Sequence, residues 1–584
     1  MSVTEWDRWL RVGAGQERDV RLDCLVLGGL SLLLIATGIG LRDPWPADEP
    51  RFALVVRDMV ATGDWLIPRV GGEVYGDKPP LFFWLMALAL EATHSLRFAF
   101  LLPSLLAATG CVLSTYDLAR RLWNREVGLI AGLSLLMTLQ FTWQARQAQI
   151  DATLCFWTTL SLYGLLRHLL LGPSTRWYVV GWAAAGLGII TKGVGFLPLL
   201  ILFAALGLRW RGWSTRIGPT SPGQWLLGGL ALVAAVSIWL VPLLLAARGD
   251  PQLQAYRDEI LLHQTIDRYA SAWQHREPFW YFIVNVIPLL WLPFTALLPW
   301  LVPRWRDAWN DRDPRVVLPL LWIGLVLLFF SCSSGKRGVY VLPALPALAL
   351  AAAPYVSDLL KQRNVLRVLF GLAVLTSAVC TLACVFFLVD PQQRDQVMAD
   401  YGLDPLGPLL LLGLVTAGVC LVSRVARAPI AFAGVLTTVL LVMSYWINPQ
   451  INANRSSAAF IDQIEQHLEP GQELGFFSFR EQYLLTVRRP ITHFGHEVWR
   501  AGLAAGQQEI ADAAFWLAGS PKRVMVINEW GRLACFASSK TVPLGVANRR
   551  TWYLVHHGSG DPECIARGTP LGAYHYVPPA ALNR

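Results

Sequence analysis

Long apolar runs recur through the first three quarters of this chain, and they constrain its fold more than any other feature. Between Leu22 and Trp446 the runs are about 20 residues long, which is enough for a helix to cross a bilayer. Hydrophobic side chains make up 54% of the sequence and charged ones only 15%, whereas soluble proteins carry about 25% charged residues. The chain is therefore predicted to be an α-helical polytopic membrane protein.

Thirteen apolar segments are predicted to be membrane spans, at 24–41, 97–119, 127–143, 150–170, 176–190, 194–208, 225–247, 281–302, 316–331, 339–357, 366–389, 406–423 and 429–447. Residues 79–94 are left out because only about ten unbroken apolar residues precede Glu91. That length is typical of a re-entrant or interfacial helix. The N-terminal segment lacks a cleavage site after a short apolar core, so it is interpreted as an uncleaved, cytoplasmic anchor.

The distribution of basic residues supports this count. With thirteen spans, the short cytoplasmic loops are all basic, which is the usual orientation signal of membrane proteins. Counting 79–94 as a span would reverse the pattern. The net charge of +9 is spread over these loops, so it does not indicate a nucleic-acid partner.

The composition changes near residue 448, which divides the chain into a membrane domain (1–447) and a C-terminal domain (448–584). The second part is predicted to be a small α/β soluble domain on the outer face of the membrane, because two strand-like stretches flank the helical "AGQQEIADAAFWLAG". Cys535 and Cys564 are able to pair if this region faces an oxidising compartment.

The first external loop, about 42–96, is unusually rich in charge for so apolar a protein. Apolar residues at helical spacing after Pro50 predict a short amphipathic helix on the membrane surface, with Asp48 at its entrance and Glu49 as a cap. A second interfacial helix is predicted after Pro79-Pro80, with Lys78 at its mouth. Cations kept on the outer face, against the orientation rule, indicate binding of an anion there.

A simpler interpretation is that loops near lipid headgroups are charged anyway. It suits Arg57, Asp64, Arg69 and Glu73 better than it suits the residues at the helix starts. A carboxylate with cations at the bilayer surface is instead suited to phosphate binding and acid–base chemistry.

The stretch "DEPRFALVVRDMVATGDWLIPRVGGEVYGDKPPLFFW" resembles the first external loop of the polyprenyl-phosphate-dependent membrane glycosyltransferases, with Phe52 in place of a tyrosine. In particular it resembles the bacterial lipid A aminoarabinose transferases, which share the GT-C fold with protein O-mannosyltransferases. The stretches "QARQAQIDATL", "HREPFWYF" and "SSGKRGVYVLPALP" follow in the family's order, and the resemblance covers about residues 20–450.

This resemblance implies transfer of a sugar from a polyprenyl-phosphate donor, undecaprenyl-phosphate in a bacterium, to a lipid or glycolipid acceptor such as lipid A. The reaction would take place at the periplasmic face of the inner membrane, with inversion at the anomeric carbon. A protein O-glycosyltransferase of the same fold remains an alternative. A lipid-linked sugar transporter or flippase is a weaker one, because the ionisable residues cluster in external loops.

The resemblance also implies roles for individual residues. Asp48 is the expected catalytic carboxylate, and the donor phosphate is expected to contact Arg51, Lys78, Lys336 and Tyr340. Substrate contacts are expected from Asp151, Tyr75 and Glu49. Lys336 is equally well explained as a lysine reaching the headgroup layer, and Tyr340 as a packing residue. Asp151 lies at the edge of a span, where an acid is costly unless it is paired or hydrated.

The part that Asp48 plays depends on the acceptor. An ordinary aspartate has a pKa near 4 and is a poor base for a sugar hydroxyl at pH 7. If the acceptor is a lipid phosphate, its nucleophile is already anionic and Asp48 would orient cations and acceptor instead.

A divalent metal is a further expectation from the family, in which a carboxylate before Lys-Pro-Pro meets a later histidine. Here the candidates are Asp77 and His263, and two ligands alone make a thin site. His263 is otherwise an ordinary loop residue. No other cofactor is expected.

Overall fold

The computed structural model describes residues 17–261, 276–478, 480–495, 498, 502–536, 540–547 and 550–579. Most of this range is helical, and each predicted span overlaps a helix. The α-helices in the first part of the chain are Glu17–Ile35, Glu49–Thr62, Leu81–Thr93, Leu96–Ala99, Leu102–Leu122, Arg125–Leu136, Leu139–Ala145, Ile150–Leu170, Thr175–Ile189, Leu200–Leu208, Pro222–Ala246 and Pro251–Asp258.

The later part of the chain continues in the same way. Its α-helices are Ile287–Leu290, Phe294–Asn310, Pro314–Cys332, Ala344–Leu359, Arg363–Val389, Pro391–Tyr401, Leu406–Ser423, Ala428–Val442, Asn448–Arg455, Ala458–Gln466, Glu481–Thr486, Leu503–Ala518, Glu529–Cys535 and Pro562–Arg567. Short 3₁₀ or π segments lie at Gly193–Leu199, Arg209–Trp213, Phe282–Val286, Gly338–Val341, Val425–Arg427, Met443–Ile447 and Pro570–Gly572.

Seven helices among the described residues are long and apolar enough to cross a membrane, and up to nine if each of two bent pairs is one span. The bends are 65° between Arg125–Leu136 and Leu139–Ala145, and 105° between Phe282–Leu290 and Phe294–Asn310. The other predicted spans are helical without meeting those criteria. The protein is thus a mostly helical chain with many candidate spans.

The helix Glu49–Thr62 differs from its prediction as a surface helix with one face in water. Ten of its 14 residues are buried, on both sides of the helix. Phe52 and Val55 share one apolar cluster with Phe83 of the next helix and with Leu484 near the C-terminus. The helix lies between the membrane part and the C-terminal part because both offer it apolar surface. Asp48 occupies the cap position and Glu49 is the first residue of the helix, so the predicted role of Glu49 as a cap is wrong.

The C-terminal part contains a six-stranded mixed sheet. A two-stranded hairpin, β1 (Arg69–Val70) and β2 (Glu73–Val74), precedes it in the first loop. The sheet has the order β6-β7-β5-β3-β4-β8, with β5, β3 and β4 parallel to one another. Its strands are β3 (Glu473–Phe476), β4 (Ile491–His493), β5 (Arg523–Asn528), β6 (Val542–Ala547), β7 (Arg550–His556) and β8 (Tyr574–Tyr576).

Helices cover both faces of this sheet. Leu484, from the helix Glu481–Thr486, packs in the same cluster as Leu474 of β3, whereas Ile510 of the helix Leu503–Ala518 packs with Met525 of β5 in another. Cys535 and Cys564 form a disulfide with their Cα atoms 5.8 Å apart, so the expected pairing is confirmed.

A close approach of backbone in the membrane part positions one charged side chain. The Cβ of any larger residue at Gly195 would lie 2.0 Å from the carbonyl carbon of Gly188, so this contact requires glycine. The short turn between these two glycines carries Lys192. Close packing of small residues is common where membrane helices meet.

Candidate active site

Asp48 is paired with Arg337, a residue from a distant loop. Its Oδ2 accepts a hydrogen bond of 2.9 Å from an Nη of Arg337, and both side chains remain partly exposed, at 21% and 36%. Arg337 belongs to the short connection between the helix Pro314–Cys332 and the 3₁₀ turn Gly338–Val341. Two loops far apart in sequence thus meet at the carboxylate that the family resemblance implies is catalytic.

The electrostatic surroundings of Asp48 keep it ionised. Burial raises the pKa of this carboxyl, but the charge and hydrogen bond of Arg337, with the charges of Arg51 and Lys78, outweigh burial. The pKa of Asp48 therefore lies below its ordinary value. A carboxylate in this state orients cations well and accepts protons poorly at neutral pH.

Arg51 connects this site with the C-terminal sheet. Its Nε donates a 2.6 Å hydrogen bond to Oε1 of Glu481, and an Nη lies 3.9 Å from Oδ2 of Asp77. The guanidinium carbon lies 6.0 Å from the ring centroid of Tyr75. The ring of Tyr75 is buried, and burial, with the charge of Asp77, raises the pKa of its hydroxyl. Tyr75 thus borders the site as a neutral ring.

Lys78 is also close to this group. Its Nζ donates a 3.0 Å hydrogen bond to the backbone oxygen of Asp77, and its charge contributes to the low pKa of Asp48. The predicted set Asp48, Arg51, Lys78 and Tyr75 is therefore brought together in space.

A second charged group adjoins the first. Lys192 donates a 2.6 Å hydrogen bond to Oδ1 of Asp151, and its Nζ lies 4.3 Å from the ring centroid of Tyr340. Tyr340 also packs against Phe330, with 5.4 Å between ring centroids. Burial lowers the pKa of Arg337, but Asp48, with smaller contributions from Asp151 and Tyr340, raises it above its ordinary value. Asp151 is therefore paired, and it is within electrostatic range of the Asp48–Arg337 pair.

Lys336 points elsewhere. The side chain is 4% exposed, and its Nζ donates to the backbone oxygens of Glu277 (2.7 Å) and Ser333 (2.5 Å). Its neighbour Arg337 makes the contact with Asp48. Lys336 holds a loop in place here, and its contact with a donor phosphate stays a prediction.

Glu49 is likewise bound to protein groups. Both of its carboxylate oxygens bond the guanidinium of Arg42, one at 2.8 Å, and backbone amides of Trp45 and Ala148 donate to them as well. The side chain is 7% exposed. These contacts suit a structural anchor of the first loop, and substrate binding by Glu49 stays a prediction.

The metal prediction is tested in part. The described residues contain no group of three or more His, Cys, Asp or Glu side chains that could hold an ion. Asp77 lies within ion-pair distance of Arg51, and His263 falls outside the described residues. The residues in view do not assemble a ligand set.

Sequence reasoning missed three residues of this site: Arg337, Lys192 and Glu481. Arg337 stands beside the chosen Lys336 in "GKRG", and a backbone turn decides which cation faces Asp48. The sequence could have indicated Lys192, since a lysine between two adjacent apolar segments needs a partner. Glu481 is 430 residues from its partner Arg51, and no local pattern predicts that contact.

Comparison with known proteins identifies the family of the chain. Residues 77–240 match the family profile of dolichyl-phosphate-mannose-protein mannosyltransferases. The chain is also 32% identical over 398 residues to an undecaprenyl phosphate-alpha-4-amino-4-deoxy-L-arabinose arabinosyl transferase of Pseudomonas aeruginosa. This alignment covers 66% of the chain and 69% of the relative. The chain belongs to this arabinosyl transferase family.

Solved structures show the same fold along nearly the whole chain. The crystal structure of ArnT from Cupriavidus metallidurans bound to undecaprenyl phosphate is 22% identical, with a TM-score of 0.69. That likeness covers 95% of this chain and 98% of the other. The apo state of the same protein gives a TM-score of 0.70. As a member of the arabinosyl transferase family, the protein is an integral-membrane glycosyltransferase, and the predicted family and enzyme class are confirmed.

Proposed function

We propose that the protein transfers a sugar from undecaprenyl phosphate to a phosphate group of a lipid acceptor, at the periplasmic face of the inner membrane. The relatives' names give 4-amino-4-deoxy-L-arabinose as the sugar to test first. The observation that carries the proposal is the bond of Asp48 to Arg337, with Arg51 and Lys78 near the same carboxylate.

The low pKa of Asp48 favours an anionic acceptor. A sugar or protein hydroxyl would need a base, and an ion-paired carboxylate is a poor one at neutral pH. A phosphate oxygen is already negatively charged and needs no deprotonation. Asp48 then acts by holding Arg337 and its neighbouring cations in position.

The displacement is a single step. An oxygen of the acceptor phosphate attacks the anomeric carbon from one side, while the bond from that carbon to the donor phosphate breaks on the other. The electron pair of that bond stays with undecaprenyl phosphate, whose growing charge the fixed cations stabilise. Inversion at the anomeric carbon follows.

This proposal places thirteen spans across the bilayer, the N-terminus in the cytoplasm and residues 448–584 in the periplasm. The basic cytoplasmic loops support that orientation. The disulfide between Cys535 and Cys564 supports it independently, because disulfides persist in the periplasm and are rare in the cytosol.

The test uses purified protein in vesicles that contain undecaprenyl-phosphate-linked sugar and a phosphorylated lipid acceptor. Mass spectrometry of the extracted lipids follows the gain of one sugar. We expect Asp48→Asn and Lys78→Gln to lower the rate by at least about 100-fold. Asp64→Asn is the matched control, because it makes the same change at a half-exposed residue of the same loop.

Equal rates in wild type and Asp48→Asn would overturn the assignment of this site. Transfer to protein and not to lipid would favour the protein acceptor. Movement of the donor across the bilayer with no transfer would favour a flippase.

A further inference from the structure

The C-terminal sheet presents a group of polar side chains at the carboxyl end of β3 that the reaction described above does not use. The chain leaves β3 towards β4 on one side and later returns to β5 on the other, so β3 is the point where the strand order reverses. Ligands of α/β proteins commonly bind at such a point, beyond the carboxyl ends of the strands. Ser478 and Arg480 follow β3 here.

Two arginines converge on this point. An Nη of Arg550, at the start of β7, lies 3.3 Å from Oγ of Ser478 and donates to it. Burial lowers the pKa of Arg550, and the positive charge of Arg480 lowers it further. The two guanidinium groups are therefore near enough to repel each other. Two like charges held together are stabilised by an anion between them.

Tyr483 adds an independent observation. Its side chain is 1% exposed, and its ring stacks on that of Phe476 with 5.8 Å between centroids. Its hydroxyl has no hydrogen-bond partner in the part of the chain that the structure describes. Burial raises the pKa of Tyr483, whereas the charges of Arg480 and Arg550 lower it, so both arginines act on this hydroxyl. A buried hydroxyl without a partner is costly, and a ligand oxygen would satisfy it.

A carboxylate also lies nearby. Oε1 of Glu509 accepts a 2.9 Å hydrogen bond from the backbone amide of Ser478. Burial is the main cause that raises the pKa of Glu509 to about 7, with Arg480 lowering it and Asp512 and Glu73 raising it. At neutral pH the carboxyl is protonated in a fraction of the molecules, which weakens its repulsion of an anion.

This group is connected to the active site through neighbouring residues. Arg480 is followed by Glu481, whose carboxylate is 2.6 Å from Arg51. Arg51 in turn contributes to the field at Asp48. The group is therefore joined to the active site through Glu481, which follows Arg480 in the chain and bonds Arg51.

We infer that Arg480, Arg550, Ser478 and Tyr483 form a phosphate subsite that holds the headgroup of the acceptor lipid. The inference rests on the proposed function for the identity of the acceptor. The subsite binds a phosphate monoester other than the attacking one, so it orients the acceptor while another phosphate oxygen reaches the anomeric carbon. It uses two guanidinium groups and two hydroxyls, a donor set suited to phosphate.

The experiment measures transfer kinetics with each substrate varied in turn, for Tyr483→Phe, Arg550→Gln and the control Arg488→Gln. Arg488 is an exposed arginine of the same region that pairs with Asp462 at 2.8 Å. We expect the KM for an acceptor with two phosphates to rise about 10- to 100-fold in Arg550→Gln and roughly tenfold in Tyr483→Phe. The KM for the donor, and kcat at saturating acceptor, should stay at the wild-type values.

Tyr483→Phe is the most informative variant because it removes only a hydroxyl that has no partner in the folded protein. A purely structural tyrosine predicts no change in KM. An acceptor with a single phosphate should show nearly equal KM values in all variants, since it leaves the subsite empty.

A second measurement does not depend on activity. Inorganic phosphate should raise the thermal unfolding temperature of the full-length wild type, and less so that of Arg550→Gln and Tyr483→Phe. Wild-type transfer with unchanged acceptor KM in both variants would overturn the inference and leave the proposed function intact. A raised KM for the donor would show that the subsite binds the donor, which would also overturn the inference.

Two outcomes separate the remaining cases. Absence of transfer in wild type contradicts the proposed function, and the phosphate measurement then still tests the subsite. Protection by inorganic phosphate without any change in acceptor KM identifies a site for free phosphate and overturns the assignment to a lipid headgroup.

Discussion

The two halves of the helix Glu49–Thr62 hold their charges in different ways. At the first half, Asp48 and Arg51 are partnered by charged side chains, Arg337 and Glu481, that come from other loops. In the second half, the guanidinium of Arg57 donates to the backbone oxygens of Leu485 (2.8 Å) and Leu484 (3.0 Å) and to Oη of Tyr576 (2.6 Å).

This difference separates a candidate functional contact from structural ones. Tyr576 completes the second half by donating a 2.5 Å hydrogen bond to Oδ1 of Asp58. Arg57, Asp58 and Tyr576 are all buried, and they fasten the helix to the C-terminal sheet. The Asp48–Arg337 pair of the first half remains partly exposed, at 21% and 36%, whereas Arg51 and Glu481 are nearly as buried as the second half. We therefore expect a substrate phosphate to be able to exchange with the carboxylate of Asp48. In the second half, no substrate phosphate competes with the backbone oxygens for the guanidinium of Arg57.

The largest expected effect concerns the first half. Arg337→Gln removes the strongest partner of Asp48, so we expect the transfer rate to fall about 100- to 1,000-fold. The thermal unfolding temperature should stay close to that of wild type. Arg69→Gln is the control, since Arg69 is a partly exposed arginine of the first loop. A rate for Arg337→Gln equal to the control would show that the Asp48–Arg337 pair does not serve catalysis.

The next effect concerns the second half. Arg57→Ala removes the positive charge 3.8 Å from Asp58 and leaves two backbone oxygens and Oη of Tyr576 without their donor, which should cost about 3 kcal/mol of stability. Thermal unfolding and limited proteolysis at the C-terminal sheet measure the loss. The variant Arg51→Ala serves as the comparison, because it should lose activity and keep most of its stability. If the two variants behave alike, the two halves do not differ as described.

A smaller effect depends on pH. Burial is the main cause that raises the pKa of Asp58 to about 6, against an ordinary value of about 4. The folded protein then binds this proton more tightly than the unfolded one, so the stabilisation is complete below about pH 4 and is lost as the pH rises to about 6.

The variant Asp58→Asn should therefore not lose stability from this group as the pH rises. The stability of wild type relative to the variant should fall on the order of 2 kcal/mol between pH 4 and pH 7. The comparison of the two proteins cancels other titrating groups, such as His493. A difference that stays constant with pH would mean that folding does not shift the pKa of Asp58.

The smallest effect tests whether a substrate phosphate can replace a carboxylate as the partner of a cation in the first half. Glu481→Gln removes one of the carboxylates near Arg51, so we expect the KM for the donor to fall by roughly two- to fivefold. Glu529→Gln is the control, because Glu529 pairs with Arg532 at the surface of the C-terminal sheet. A raised donor KM would instead indicate that Glu481 helps to hold Arg51 in its productive position.

Much of the site was predictable because its residues lie close in sequence. Asp48, Arg51, Tyr75 and Lys78 belong to one loop whose motif is specific to the family, and the structure brings them together. The choice between Lys336 and Arg337 was not predictable, because neighbouring residues in a turn point in different directions. Burial of the helix that follows Asp48 was missed since its second apolar face is covered by residues more than 400 positions away.

The sequence alone determined the membrane class, the helices, the family and the acidic residue at the centre of the site. The membrane class and the helices follow from local composition and periodicity. The family and the choice of Asp48 came from the resemblance of a contiguous motif to a known family. The tertiary structure decided which cation faces Asp48, that Lys192 pairs with Asp151, and that the C-terminal sheet supplies Glu481. Those contacts join segments separated by up to 430 residues. They exist because burial of a charged group is tolerated only where the fold delivers its partner.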